Sequence, residues 1–141
     1  MGCECRLERS CIERVPIFSA LSQEEMTEVA AIIIRKEYKK GEMIHLSGDK
    51  GRLYIIHTGK VKMYRLSEAG KELIIRILEP GDFMGELSLF THAPINSCVE
   101  AMESTRVCTI DGDKLSDIIN KYPGIALKII EELGKRLQHA E

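Results

Sequence analysis

The sequence predicts a compact β-roll with helices before and after it, and three observations support this fold class. Glycines recur at Gly48, Gly59, Gly70 and Gly81, each eleven residues after the last. Runs rich in β-branched residues lie between them, at residues 53–58, 60–66 and 72–78. Turn residues at this spacing are typical of all-β barrels and sandwiches. Both ends of the chain instead repeat apolar residues at helical spacing, which predicts the flanking helices.

The first helix is predicted at residues 21–34. Ser22 is followed three residues later by Glu25, the pattern of a capping box at a helix N-terminus. Apolar residues such as Met26 and Val29 then recur at the spacing of one helical face.

The strands of the roll are predicted to differ in how deeply they are buried. Residues 60–63 alternate between polar and apolar side chains, as a half-buried strand does. Residues 73–78 are almost continuously apolar. A strand of that composition is expected to be covered on both faces.

Helical spacing returns after Asp113, first up to Tyr122 and then from Pro123 to the end of the sequence. The last helix carries apolar residues four, three and four positions apart, namely Ala126, Ile130, Leu133 and Leu137. This is the a/d spacing of a coiled coil. Two interpretations follow: the stripe covers the roll, or it joins two copies in a homodimer. No Gly or Pro follows Leu137, so we expect this helix to continue beyond the chain.

Composition and charge argue against a nucleic-acid interface, a membrane span and a signal peptide in this chain. The 141 residues are enough for one core, and the formal net charge is −2 with both signs interspersed. A nucleic-acid interface needs a basic face, so this chain is not expected to contact DNA itself. No stretch reaches the roughly 18 apolar residues of a membrane span, and residues 1–11 hold no apolar core of a signal peptide. We therefore expect a cytoplasmic protein without a membrane partner.

Four segments, in order, resemble the effector domain of the Crp/Fnr family of bacterial transcription regulators: residues 38–42, 53–61, 78–83 and 85–90. The resemblance runs from about residue 16 to residue 138. It implies a double-stranded β-helix (jelly roll) at residues 16–122 and the start of a dimerisation helix at 123–141, after a cysteine-containing segment at 1–15. The family's DNA-reading helix-turn-helix domain would follow and is absent from this chain.

The resemblance also implies an effector pocket, formed by Gly85, Glu86, Leu87, Ser88, Asn96 and Ser97. In cyclic-AMP binders this loop holds the cyclic phosphate on backbone N–H groups and ends in Arg followed by Ser or Thr. Here Asn96 stands in place of that arginine, and residues 85–97 contain neither Lys nor Arg. A hydrogen bond to a charged group contributes roughly 1.5–3 kcal/mol, so its loss weakens binding about 10- to 150-fold. Cyclic AMP is therefore not the expected ligand, and an unidentified small molecule takes its place.

The cysteines suggest a second kind of site. Three of the five lie within the first eleven residues. By resemblance to the oxygen-sensing branch of the family, Cys3, Cys5, Cys11 and Cys108 are candidate ligands of an iron–sulfur cluster or zinc, which thiolates bind. The register is imperfect, because only one residue separates Cys3 from Cys5.

A different pairing of the same thiols remains open. A hairpin turning at Glu103 would place Cys98 opposite Cys108, Val99 opposite Val107 and Glu100 opposite Arg106. A reversible disulfide between Cys98 and Cys108 would follow. The third interpretation is that the cysteines only fill space, because Cys packs as a small apolar residue.

An enzyme is not expected. The four histidines form no His-x-His pair of the kind that metal-dependent jelly-roll enzymes use, and no nucleophile motif is present. The favoured function is the sensory domain of a transcription regulator. The alternatives are a stand-alone cyclic-nucleotide or small-molecule module, and an oxygen or redox sensor.

Overall fold

The computed structural model describes residues 18–48, 50, 52–85, 88, 91 and 94–140. The chain divides into two compact units. The described helices form one unit, and Ile34–Gly112, which contains the strands, forms the other.

The helical unit begins with helix α1 (Gln23–Ala30). The predicted capping box is confirmed: the Glu25 N–H donates to the Ser22 hydroxyl at 3.2 Å, and the Ser22 N–H donates to the Glu25 carboxylate at 2.9 Å. The predicted end of the helix at residue 34 was wrong. Three consecutive β-branched isoleucines follow Ala31, and such residues favour strands over helices. Ile34 already belongs to the first strand.

Two further helices are described after the roll, α2 (Gly112–Lys121) and α3 (Gly124–Ala140). Ile125 and Ile129 on α3 are buried, at the i, i+4 spacing of one helical face. The Lys128 ammonium on α3 donates to the Glu25 carboxylate on α1 at 2.5 Å. The Tyr122 hydroxyl contacts the Glu24 carboxylate at 3.2 Å. Polar contacts therefore join α1 to α3 and to Tyr122, which lies between α2 and α3.

The second unit is a roll of antiparallel strands. The described strands are β1 (Ile34–Tyr38), β2 (Met43–His45), β3 (Leu53–Thr58), β4 (Val61–Leu66), β5 (Glu72–Leu78), β6 (Phe83–Met84), β7 (Cys98–Ala101) and β8 (Thr105–Ile110). They form two four-stranded sheets, with the orders β1-β8-β3-β6 and β2-β7-β4-β5. The predicted jelly roll with helices before and after it is confirmed.

The core of the roll lies between the two sheets. Tyr54, Ile56 and Val107 enter it from the first sheet, and Val61 and Val99 enter it from the second. Because these side chains are buried and come from both sheets, the interior holds the sheets together by removing apolar surface from water.

The four evenly spaced glycines mark turns, as predicted. Their φ angles are 91° at Gly48, 95° at Gly59, 79° at Gly70 and 95° at Gly81. At Gly59 a side chain would also collide with the backbone of Ser104 and Thr105. Glycine is therefore required at that turn by conformation and by space.

Burial of β5 was predicted incorrectly. The strand lies at the edge of its sheet, and Leu73, Ile74, Ile75 and Ile77 are exposed in the single chain. Only Leu78, at its end, is buried. Continuous apolar composition does not distinguish a central strand from an edge strand, which has a neighbour on one side only.

The hairpin predicted at Glu103 is also wrong. Strand β7 pairs with β2 and β4, whereas β8 pairs with β1 and β3 in the other sheet. Cys98 lies opposite Tyr64, and Cys108 lies opposite Arg35 and Ile55. The chain crosses from one sheet to the other between β7 and β8. Cys98 and Cys108 are therefore not cross-strand neighbours.

The other pairs of that hairpin fail for the same reason. Val99 lies opposite Met63 and His45 instead of Val107. Arg106 forms its ion pair with Glu37 on β1, at 3.1 Å, instead of with Glu100.

Candidate functional site

Strand β6, which leads into the predicted effector loop, follows a tight turn that is hydrogen-bonded to strand β3. Within the turn, the Glu79 N–H donates to the Asp82 carboxylate and the Asp82 N–H donates to the Glu79 carbonyl, both at 2.9 Å. The Gly81 N–H donates to the Ile56 carbonyl, and the Ile56 N–H donates to the Asp82 carbonyl, both at 2.9 Å. These bonds set where β6 starts and where the loop leaves the roll.

Gly85 is the first residue of the loop, and its conformation requires glycine. Its φ is 89°, a region that other residues rarely adopt. A Cβ at this position would also overlap the carbonyl oxygen of Arg52. Ser88 is buried, and its N–H donates to the Gly85 carbonyl at 3.0 Å. Glu86 and Leu87 lie outside the described residues, so their predicted part in the pocket stays a prediction.

The far end of the loop lies beside a cavity of about 220 Å³. Asn96 and Cys98 line it together with Tyr64 and Arg65 of β4. Asn96 is exposed and Ser97 is buried. The structure therefore places both predicted polar residues at the start of β7, with Asn96 on the cavity.

Two cations near the loop come from other strands, and reasoning from the loop alone overlooked both. Arg65 shares the cavity with Asn96. Arg76 on β5 donates from Nη1 to the Phe83 carbonyl at 3.4 Å, two residues before Gly85. The sequence does carry a signal for Arg76, because it is the single charged residue in the apolar run 73–78. Residues 85–97 contain neither Lys nor Arg, but Arg65 and Arg76 supply positive charge near the two ends of the loop.

The cavity beside Asn96 also contains a phenol that stays protonated at neutral pH. Burial raises the pKa of Tyr64, and the neighbouring Glu100 carboxylate raises it further. The Tyr64 hydroxyl lies 3.5 Å from that carboxylate. The cavity thus offers a neutral hydroxyl, an amide, a thiol and a guanidinium, which suit a small polar ligand.

The predicted cysteine site is described only in part. Cys3, Cys5 and Cys11 lie outside the described residues, while Cys108 is buried in β8. Among the residues that the structure describes, no group of three His, Cys, Asp or Glu side chains could hold a metal ion. The four-cysteine ligand set stays a prediction.

The predicted dimer stripe on α3 is exposed at two of its positions. Ile130 is 62% exposed and Leu137 is 68% exposed, while Ala126 and Leu133 are half-buried. Since Ile130 and Leu137 are seven residues apart, they lie on one face of the helix. That face is apolar and is not covered within the single chain at these two positions.

The cyclic nucleotide-binding domain family matches residues 35–122, from the first strand through the second helix. The chain belongs to this family. Its relatives include transcription regulators of the Crp/Fnr type, as the resemblance implied.

Two curated relatives show this similarity. A protein named probable transcriptional regulator flp, of Lacticaseibacillus casei, is 29% identical over 135 residues, which cover 96% of this chain and 62% of that protein. The cyclic AMP receptor protein of Thermus thermophilus is 29% identical over 127 residues, which cover 89% of this chain and 59% of that protein. The chain thus spans about three fifths of the length of these relatives.

A solved structure matches over nearly all of both chains. The N-terminal domain of a transcriptional regulator from Streptomyces coelicolor superimposes with a TM-score of 0.84 at 28% identity, covering 92% of each chain. The names of these relatives describe transcriptional regulators and a receptor protein. Among the described helices, none is long and apolar enough to cross a membrane.

Proposed function

We propose that this chain is the effector-sensing and dimerising domain of a transcription regulator. Support comes from the relatives, which are named as regulators and extend well beyond the matched part. In this proposal DNA is bound by a helix-turn-helix domain outside the chain, since a net charge of −2 does not favour a nucleic-acid interface. We also propose a cytoplasmic location and the division into segment 1–15, roll 16–122 and helix 123–141.

The observation that carries the proposal is the exposed apolar stripe on α3, in a chain that belongs to this family. Burying a Leu or Ile side chain that is otherwise exposed contributes about 1.5–3 kcal/mol. Ile130 and Leu137 would be buried on both copies when two α3 helices pack in parallel along the stripe. The half-buried Ala126, one turn before Ile130, and Leu133, between Ile130 and Leu137, would complete the contact. A homodimer through α3 therefore removes the largest exposed side chains of the stripe from water.

The effector would act by shifting a population of dimer geometries. A ligand beside Gly85 and Asn96 favours one dimer geometry over another, and these geometries differ in the angle between the two α3 helices. Two DNA-binding domains attached after α3 would then be brought to, or moved away from, the spacing of a two-fold operator. We propose that the effector is a small molecule other than cyclic AMP.

The test is the oligomeric state of the chain in sedimentation equilibrium, with a matched pair of variants. Leu137→Glu places a charge on the stripe, and Gln138→Glu places the same charge on the neighbouring exposed position away from it. We expect a dimer for the unchanged chain and for Gln138→Glu. For Leu137→Glu, the lost burial and the new charge at the seam should weaken the dimer at least about 10-fold.

Two results would contradict the proposed dimer. One is a monomer at every concentration for the unchanged chain. The other is equal weakening by both substitutions, which would show that added negative charge matters and the stripe does not.

A further inference from the structure

A second cavity, of about 370 Å³, opens in the roll among the ends of β1, β2 and β3. None of its described lining residues belongs to the effector loop or to the start of β7. Its volume lies within the range of small-molecule pockets and exceeds what one simple ion needs. The cavity is therefore large enough for a small organic ligand.

The lining carries a concentration of positive charge. Lys36, Lys50 and Arg52 all line the cavity, and no described lining residue is acidic. Lys50 has a carboxylate partner, Asp111, at 3.7 Å. For Lys36 and Arg52, the described part of the chain supplies no ion pair. Lys36 is exposed and Arg52 is half-buried. Two cations without a described ion-pair partner therefore line one cavity, and both would attract an anion placed there.

A hydroxyl donor stands beside these cations. Tyr38 lines the same cavity, and burial raises the pKa of its phenol, an effect that the nearby Arg52 guanidinium opposes only in part. The phenol therefore keeps its proton at neutral pH. A protonated hydroxyl next to a guanidinium is a good partner for a carboxylate or phosphate oxygen.

The wall of the cavity is held in place by a buried hydrogen-bonded pair. His45 and Tyr54 both line it and are 4% and 6% exposed. The His45 Nε2 atom lies 3.1 Å from the Ile95 carbonyl, which can only accept, so Nε2 carries the proton. In the neutral ring Nδ1 then accepts from the Tyr54 hydroxyl, 3.0 Å away. A wall with fixed polar groups lowers the entropy lost when a ligand binds.

We propose that this cavity binds a small organic anion, a carboxylate or a phosphate, through Lys36, Arg52 and the Tyr38 hydroxyl. The site is separate from the effector loop, so the chain has a second place at which a metabolite can bind. If a test rejects this anion site, the proposed dimer and effector loop still stand, because none of their described residues lines this cavity.

The experiment is a pair of titrations of the full chain, one with citrate and one with inorganic phosphate, followed by backbone amide NMR shifts. We expect saturable shifts at residues of the cavity wall, such as His45 and Tyr54, with at least one of the two anions. Saturation with citrate alone would show that the site prefers carboxylates, and saturation with phosphate alone would show that it prefers phosphates. Saturation with both would show that the site binds anionic oxygens of either class.

Two double variants with the same net charge separate the site from general charge effects. Lys36→Gln/Arg52→Gln removes the two cavity cations. Lys40→Gln/Lys114→Gln removes two exposed lysines that do not line the cavity. We expect binding to weaken about 10-fold or more in the first double variant and to stay within about a factor of two in the second, because a charge-assisted bond acts only at short range.

Tyr38→Phe keeps every charge and removes only the hydroxyl donor, so it tests the site even if the first double variant folds poorly. Binding should weaken several-fold or more in this variant. The proposal is overturned if neither anion gives saturable shifts, if the shifts lie away from the cavity wall, or if both double variants lose binding equally.

Discussion

The buried pair His45–Tyr54 makes a quantitative prediction about the stability of the roll. Its two hydrogen bonds are 3.0 and 3.1 Å long, and both side chains are almost fully buried. Tyr54→Phe removes the hydroxyl without changing the ring. The Nδ1 atom of His45 then loses its donor in a place with little access to water.

The expected loss of stability depends on whether the donor or the acceptor of the hydrogen bond is removed. A buried acceptor without a donor costs about 1–3 kcal/mol, so Tyr54→Phe should lower the free energy of unfolding by that amount. His45→Leu in the same chain removes the acceptor itself. The Ile95 carbonyl stays satisfied in that variant, because it also accepts from the Gly48 N–H at 3.0 Å. The double variant should therefore lose less stability than the two single variants together, by about 1 kcal/mol or more.

The assay is urea unfolding of the four proteins of this cycle, with Tyr122→Phe as a matched control. The Tyr122 hydroxyl contacts the carboxylate of Glu24 at 3.2 Å on an exposed part of the helical unit. Its removal should cost less than about 1 kcal/mol, since water replaces the lost partner. If Tyr54→Phe costs no more than Tyr122→Phe, and if the two roll substitutions simply add, the deduced hydrogen bond between Tyr54 and His45 is refuted.

Two further predictions concern the effector loop and the helical unit. Cyclic AMP should not raise the thermal unfolding midpoint of the chain, because residues 85–97 contain neither Lys nor Arg to hold its phosphate. A saturable rise in the midpoint would contradict this prediction, and loss of that rise in Arg76→Gln would trace the binding to the Arg76 guanidinium. The hydrogen bond from Lys128 holds the pKa of Glu25 below its ordinary value near 4.5, and the N–H of the N-cap residue contributes as well. A lowered pKa in the folded state contributes stability above that ordinary value and loses it as pH falls through the folded pKa. Lys128→Met should therefore lower the midpoint most at neutral pH, with the difference from the unchanged chain shrinking in acid; a difference that grows in acid would contradict the assignment.

The local parts of the fold could be read from the sequence. The capping box at Ser22, the turn at Gly59 and the strand Leu53–Thr58 are each specified by residues within a few positions of one another. Their physical causes are equally local: a hydroxyl that accepts a backbone N–H, a positive φ, and the preference of β-branched side chains for extended backbone. The resemblance added the jelly-roll topology, which local patterns could not supply.

The end of the first helix was a local error, since Ile32, Ile33 and Ile34 favour a strand. The other two errors involve strand partners that are distant in sequence. The short separation between Cys98 and Cys108 led to the prediction of one hairpin, but their strands pair with other strands in two different sheets. The apolar strand β5 suggested burial, yet it has a neighbour on one side only. Which strands pair depends on how both sheets close around the core between them, and ten residues of sequence do not contain that information.

The sequence by itself determined the capped start of α1, the helices after residue 112, the strands at residues 53–58, 60–66 and 72–78 with the turns between them, and the apolar stripe on α3. The resemblance carried by its motifs gave the family. Only the tertiary structure decided which charges stand together. Lys36 and Arg52 are sixteen residues apart and line one cavity, and Arg76 reaches the backbone beside the effector loop from another strand. The physical reason is that backbone conformation depends on near neighbours, whereas a binding site depends on side chains that meet only after the sheets have closed.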